Sequence, residues 1–278
     1  MTASASASVP VLADRLDLRL VAVDMDGTLL DEHGQVPEGL WPMLDRLRER
    51  GILFAPASGR QYATLRREFG AHGDDMVFIA ENGTYVVQHD EEISSDVLTP
   101  AVVADVLAAA RALTVDAGVV LCGKRSAYIE RTDAAFRAEA DRYYAELAPV
   151  SDLGAVDDDI IKIAVFVFGN AETEVAPELE RFRSSLQVVV SGEHWVDVMN
   201  PGVNKGEALR RLQTALGVTA AQTVVFGDYL NDLEMMDAAE HSYAMANAHP
   251  DVLARARHRA PSNRDHGVIR VLEQLLDR

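Results

Sequence analysis

A single cysteine, Cys122, stands in the whole chain of 278 residues. One cysteine excludes an intrachain disulfide and any zinc site built from cysteines, and it fits a reducing cytoplasm. Basic side chains are scarce as well: 26 Lys and Arg stand against 44 Asp and Glu, a formal charge of -18. A surface this acidic repels nucleic acid and anionic membranes, because such partners are held by basic stripes that replace phosphate counterions. No apolar run approaches the roughly 20 residues that span a bilayer. Also missing near Met1 is a basic segment followed by an apolar one, so residues 1–17 read as a flexible tail and not as a signal peptide. What remains is an ordinary globular composition, 48% apolar and 25% charged, with length enough for two domains. The expected setting is the cytoplasm, with no obligate protein partner implied.

Apolar patterning divides the chain. Leu18 to Val23 is a mostly apolar run that ends abruptly in Asp24–Met25–Asp26–Gly27–Thr28, the pattern of a buried parallel strand. A helix is expected over Pro37 to Arg50, with Gly51 as its stop, then a strand at Ile52–Ala55 and a helix from Tyr62 to Phe69. The strand Met76–Ala80 completes a β–α–β–α–β alternation, which predicts a parallel sheet with right-handed crossovers. From about Thr84 the pattern changes to short neighbouring strands mixed with helices, among them Ala134–Leu147 and Thr173–Ser184. That mixture suggests an α+β unit inserted into the first domain, with edges near residues 88 and 192. The parallel pattern resumes with a helix at Lys205–Leu216 and the strand Thr223–Phe226, which runs into Gly227–Asp228–Tyr229–Leu230–Asn231–Asp232.

Asp24 and Asp26 sit at the carboxyl end of the first strand, the edge where open α/β sheets bind ligands. Two carboxylates at i and i+2 in a tight loop repel unless a cation lies between them, and Mg2+, which takes oxygen ligands, meets that need. Alone, the pair also reads as a solvated acidic turn. An EF-hand calcium loop is excluded, since its twelfth position requires Glu and this chain has Gln35 there. Asp228 and Asp232 follow another apolar strand, where they could equally cap the next helix. Parallel strands bring their carboxyl ends to one edge, so four carboxylates can meet around one metal. Ser58 and Gly59 follow the second strand and offer a hydroxyl and a backbone N–H to a phosphate oxygen, while Lys205 offers a fixed ammonium at a helix start. Taken singly, these are a helix cap and a surface lysine. Four pieces in order at successive strand ends point to phosphoryl transfer.

The motifs Asp24–Met25–Asp26–Gly27–Thr28–Leu29–Leu30, Ala57–Ser58–Gly59–Arg60, Asn204–Lys205–Gly206 and Gly227–Asp228–Tyr229–Leu230–Asn231–Asp232 stand together in this sequence. With them it resembles the haloacid dehalogenase-like hydrolase superfamily, and within it the Cof-type phosphatases. Glu81–Asn82–Gly83 and Ala246–Asn247–Ala248 are similar to further signatures of that family. The resemblance runs over nearly everything beyond the tail and is weaker in the inserted segment, whose place between the second and third motifs is similar to the large Cof-type cap. It implies an α/β, Rossmann-like parallel-sheet core (residues 18–87 and 193–278) with an inserted α+β cap domain (88–192). It also implies a phosphatase acting on a small phosphorylated metabolite, a sugar phosphate or a phosphorylated cofactor such as a flavin or pyridoxal phosphate. A phosphomutase or a catalytically retired sensor of such metabolites is the alternative.

By the same resemblance Asp24 is the nucleophile, and Asp26 the general acid and then base. Ser58, Gly59, Lys205 and Asn231 attend the phosphoryl group. Asp228 binds Mg2+ with the Asp24 carboxylate and the Asp26 carbonyl, and Asp232 orients the metal's water shell or Lys205. Arg60 and Asn82 lie beside the expected site and are candidate substrate contacts. Lys124, Arg125 and Lys162 are candidate substrate contacts because cations are few in the insert. Cys122 reads as a small apolar filler, Asp157–Asp158–Asp159 as a solvated loop, and Tyr143 and Tyr144 as cap packing. His33, His194, His241 and His249 share no metal-ligand spacing.

Overall fold

The computed structural model describes residues 16–277. The tail expected over residues 1–17 lies outside them, apart from Leu16 and Asp17. The first strand, β1 (Leu20–Asp24), is buried at every position, as befits a central strand of a parallel sheet covered on both faces. A single wide helical turn (Met25–Leu29) follows. Then come α1 (Leu40–Glu49), β2 (Leu53–Ala57), α2 (Tyr62–Phe69) and β3 (Val77–Ala80). Pro42 is tolerated in the first turn of α1, where its missing N–H removes no helical bond. A hairpin of β4 (Tyr85–Gln88) and β5 (Glu91–Ser95) turns at His89 and Asp90, both at positive φ.

The middle of the chain holds α3 (Pro100–Arg111), β6 (Ala117–Gly123), β7 (Ala127–Ile129), α4 (Ala134–Tyr143) and β8 (Leu147–Pro149). It continues with β9 (Ile160–Val167), α5 (Ala171–Glu174), β10 (Gln187–Gly192) and β11 (Trp195–Met199). The last part is α6 (Lys205–Leu216), β12 (Thr223–Gly227), α7 (Leu233–Ala238), β13 (His241–Met245), α8 (Pro250–Arg255), β14 (His258–Ala260) and α9 (Gly267–Leu276). Among the described residues no helix is long and apolar enough to cross a membrane.

Two sheets result. The first runs β14–β13–β12–β1–β2–β3–β4–β5, parallel from β14 to β3 and antiparallel in the hairpin. The second runs β10–β11–β9–β6–β7–β8 and is antiparallel except for the β7–β8 pair. Sheet membership differs from the expected edges at residues 88 and 192. β5 lies beyond the first edge yet pairs with β4 in the first sheet, and β11 lies beyond the second yet pairs with β9 and β10. Hydrogen bonding between strands, which is non-local, sets both limits.

Two helices are also shorter than their patterns suggest. The helix expected over Thr173–Ser184 stops at Glu174, because Pro177 cannot donate the next backbone bond and its ring clashes with the preceding turn. The helix expected to reach Leu147 ends at Tyr143, and the chain enters the second sheet as β8, with Glu146 accepting the Ala127 N–H at 2.9 Å.

All eight residues of β9 are buried. Its side chains alternate between two apolar layers. Ile163, Val165 and Val167 pack with Val106 and Leu107 of α3, while Ala164 and Phe166 pack with Phe136 and Ala140 of α4 and with Trp195. Tyr85 of the first sheet packs against this second layer, so that layer faces the core. Two charged residues interrupt the alternation on that side, Lys162 on β9 and Asp197 on β11, both buried.

Candidate active site

β1 lies between β12 and β2, so Asp24, Ser58 and Asp228 emerge together at the carboxyl ends of three adjacent strands. One carboxylate oxygen from each of Asp24, Asp228 and Asp232 lies within 4.8 Å of the others. Beside them Lys205 opens α6, whose start is capped by the Asn204 side chain accepting the Glu207 N–H at 2.8 Å. The Lys205 ammonium is fully buried and donates to Asp24 Oδ1 and, at 2.8 Å, to Asp232 Oδ1. The other Asp232 oxygen accepts from the backbone N–H groups of Asp228 (2.9 Å) and Tyr229 (3.2 Å). Asp232 is therefore occupied in fixing the loop and the lysine, which leaves Asp24 and Asp228 freer to meet a metal.

Gly27 is required where it stands. Its φ is +81°, and a Cβ there would meet Asp228 Oδ2 at 2.3 Å. Thr28 donates its hydroxyl to Asp228 Oδ1 at 3.0 Å, and Asn247 donates its amide to the Gly27 carbonyl at 2.7 Å. These two side chains, both within motifs quoted from the sequence, hold the loops together.

Burial, followed by the charge of Asp232, pushes the Asp24 carboxyl well above the ordinary range. The same two causes push Asp228 up to about 7. For Lys205, burial alone would lower the pKa, but Asp232 and Asp24 outweigh it and hold the ammonium above the ordinary lysine value. Three oxygen-bearing acids facing one ammonium leave a deficit of positive charge. A divalent cation with a preference for oxygen fits this donor set.

The Asp26 carboxylate, counted among the expected metal ligands, stands outside this group. The wide turn breaks at Asp26, whose backbone is extended (φ -77°, ψ 119°), and its side chain separates from that of Asp24. Arg60 occupies both Asp26 oxygens, Nε at 2.9 Å, and binds Glu68 as well. Only the Asp26 backbone stays available for the metal role that the resemblance implies.

A cavity of about 460 Å³ opens over these residues, lined from the core by Asp24, Asp26, Ser58, Gly59, Arg60, Asn82, Asp228 and Asn231. Its other wall comes from the second unit, with Tyr143, Tyr144, His194 and Trp195. Tyr143 and Tyr144 do pack on Trp195 edge to face, as expected of cap residues, but they also border the cavity. Asn82 links the two walls, donating to Asp197 at 2.7 Å and accepting from Asn231 at 3.1 Å.

The candidate substrate lysines part company. Lys162 borders the cavity but is 1% exposed and already paired with Glu81, so it is no free reader of substrate. Lys124 lies elsewhere, bound to Glu92 at 2.9 Å and to Asp159 at 3.6 Å beside a separate cavity of about 90 Å³. Scarcity of cations was too weak a reason to place it at the site. Trp195 and Asp197 are not among the residues that the sequence singles out, although an acid buried inside an apolar strand such as Trp195–Met199 is a visible signal, and Glu81 stands out there only as part of the Glu81–Asn82–Gly83 signature.

Comparison with known proteins adds identity to this geometry. The haloacid dehalogenase-like hydrolase family profile matches residues 21–272. Over 265 residues the chain is 34% identical to the 5-amino-6-(5-phospho-D-ribitylamino)uracil phosphatase YbjI of Escherichia coli (strain K12), covering 94% of this chain and 97% of that one. It is 30% identical over 243 residues to the HMP-PP phosphatase of Cronobacter sakazakii, covering 86% and 88%. The crystal structure of SMU.1108c from Streptococcus mutans UA159 shares the fold with a TM-score of 0.86 and 26% identity, over 94% of this chain and 100% of that one. With nearly its whole length matched, and with full-length relatives named phosphatases, the chain belongs to the haloacid dehalogenase-like hydrolases and is a phosphoric monoester hydrolase of that family.

Proposed function

We propose that this enzyme hydrolyses a small phosphorylated metabolite in two steps, with Asp24 as nucleophile and Mg2+ as cofactor. The observation that carries the proposal is the convergence of Asp24, Asp228 and Asp232 within 4.8 Å, next to the buried Lys205. Water attacks phosphate monoesters very slowly, and a carboxylate nucleophile divides the reaction into two easier displacements. In the first, an Asp24 oxygen bonds to phosphorus while the bond to the leaving oxygen breaks and Asp26 supplies that oxygen with a proton. In the second, Asp26 takes a proton from water, the water oxygen bonds to phosphorus, and Asp24 leaves. Because Arg60 occupies both Asp26 oxygens, Asp26 first exchanges one of those contacts for a proton brought by solvent or by the phosphate monoester, and the leaving oxygen then takes that position.

Lys205 holds Asp24 in place and offsets charge on the transferring group, and Ser58, Gly59 and Asn231 orient its oxygens. Asp24, Asp228 and the Asp26 carbonyl would hold Mg2+, and Asp232 would steady that arrangement. When bound, Mg2+ supplies the positive charge that favours ionised Asp24 and screens the phosphoryl oxygens.

The cavity supports a narrower reading of the substrate class. Its volume of about 460 Å³ is that of a small-molecule site. A wall of Tyr143, Tyr144 and Trp195 favours a flat, ring-bearing leaving group, since aromatic faces and edges pack well against planar rings. The Escherichia coli relative, named for a uracil with a phosphoribitylamino chain, is a chemical precedent of that kind.

Three outcomes are expected. Asp24→Asn should retain a cooperative melt but lose turnover by at least about a thousandfold, as removal of a nucleophile does; near-normal turnover in the metal-replete variant would remove Asp24 from that role.

Chelation with EDTA should stop phosphate release, and added Mg2+ should restore it and raise the melting temperature. Asp228 keeps its proton up to about 7 in the fold but loses it in the ordinary carboxylate range when unfolded. The metal-free fold therefore loses stability as pH rises between those values, and a cation that needs the ionised form restores most at the upper end. The Mg2+ shift should be larger near pH ~7.5 than near pH ~5.5; an equal or reversed shift would contradict the assignment.

In a panel of phosphate monoesters, metabolites bearing a flat aromatic ring should show higher kcat/KM than sugar phosphates of similar size. Preference for plain sugar phosphates would count against the aromatic wall.

A further inference from the structure

Three successive carbonyls of the loop after β2 are each held by a donor. Ser58 O accepts from the Asn82 N–H at 2.8 Å, and Arg60 O from the Glu81 N–H at 3.0 Å. Between them, Gly59 O accepts from Lys162 Nζ at 2.9 Å. The outer two donors belong to the neighbouring turn of the core. The middle one is a side chain from the second sheet. At Gly59, the second unit grips the loop that carries Ser58.

Lys162 and Glu81 are each 1% exposed, and the ammonium is paired with the Glu81 carboxylate. It also lies 3.6 Å from Asp197 Oδ2 and 5.7 Å from the centroid of the Tyr144 ring. Burial would lower the Lys162 pKa, but Asp197 and Glu81 outweigh it and keep the ammonium charged. An apolar side chain would fill the same space at a smaller desolvation cost, so packing alone does not account for the pair.

The turn that supplies Glu81 is itself held in an unusual shape. Glu81 and Asn82 both adopt left-handed φ, +51° and +57°, a region that non-glycine side chains occupy only when their surroundings fix them. Gly83 follows at φ +95°, and a Cβ there would stand 2.6 Å from the carbonyl of Asn204, the residue before Lys205. One turn thus meets the loop of Ser58, the start of α6, Asn231 through Asn82, and the second sheet through Lys162 and Asp197.

Resting on the phosphatase reading above, we propose that Lys162 and Glu81 are a positioning pair that carries the docking of the second sheet into the geometry of the Ser58–Arg60 phosphate loop. Neither residue needs to touch the substrate for this. The loop reaches its working shape only when the ammonium is drawn between Glu81 and the Gly59 carbonyl.

The test is steady-state hydrolysis of p-nitrophenyl phosphate by the full chain with Mg2+, together with inhibition by inorganic phosphate. Lys162→Met keeps the bulk and removes the donor. Provided it melts cooperatively, it should lower kcat and weaken phosphate inhibition, each by about ten- to a hundredfold, the scale of a small misplacement of a reacting group. Its Mg2+ activation should stay as in the wild type, because Asp24, Asp228 and Asp232 are untouched. Lys162→Arg should recover part of the loss. Glu81→Gln should move both readouts in the same direction, and the double variant Lys162→Met/Glu81→Gln should be no worse than Lys162→Met alone, since both act through one contact.

A folded Lys162→Met with wild-type kcat and wild-type phosphate inhibition, changed only in melting temperature, would overturn the pair. Losses that simply add in the double variant would overturn it too. Should Lys162→Met fail to fold, Glu81→Gln decides by the same readouts. A wild type without Mg2+-dependent phosphate release defeats the phosphatase reading itself, whereas an active wild type with unmoved variants defeats the pair alone.

Discussion

A charged lysine with no exposure to water needs partners, and Lys205 has two, Asp24 and Asp232. Removing the lysine would leave two buried acids facing each other without a cation, which is among the more destabilising changes a protein interior can suffer. The triad ties α6 to β1 and to the loop after β12, and so fixes three separate parts of the chain at one point. Asp232 in turn anchors the backbone of Asp228 and Tyr229. The same arrangement concentrates negative charge. Asp24 and Asp228 are pushed toward protonation by burial and by Asp232, a tension that a divalent cation relieves.

On the function proposed above, a cation at that cluster lets so acidic a protein accommodate an anionic substrate. A formal charge of -18 spread over the surface is unfavourable to phosphate at long range. Around the cavity the cations are few and fixed, each paired with an acid: Lys205 with Asp24, Arg60 with Asp26, and Lys162, which also holds the Gly59 carbonyl, with Glu81. Water between interacting charges weakens them, so the wall that the second unit places over the cavity strengthens each of these contacts.

Much of this was open to sequence reading, for a physical reason. A parallel strand covered on both faces must be apolar throughout, so β1 and β12 stand out as short apolar runs, and the acids that end them mark the functional edge of the sheet. Other features depend on contacts that no local pattern encodes. The membership of β5 and β11 was set by strand pairing, and the pairing of Lys162 with Glu81 joins a strand of the second sheet to the turn after β3. The Asp26 carboxylate stands apart from the cluster of Asp24, Asp228 and Asp232 because the turn after β1 breaks at that residue, which spacing alone does not reveal. Pro177, by contrast, was in plain view and should have shortened the helix expected around it.

The nucleophile assignment has a direct chemical consequence, a phosphoryl group carried for part of each turnover on one side chain. Acid-quenching the Mg2+-loaded enzyme during turnover, followed by peptide mass spectrometry, would find that group. Phosphate on the peptide containing Asp24, at that residue, is the expected result. Turnover with no phosphorylated peptide at any quench time, or with the phosphate on a different side chain, would contradict it.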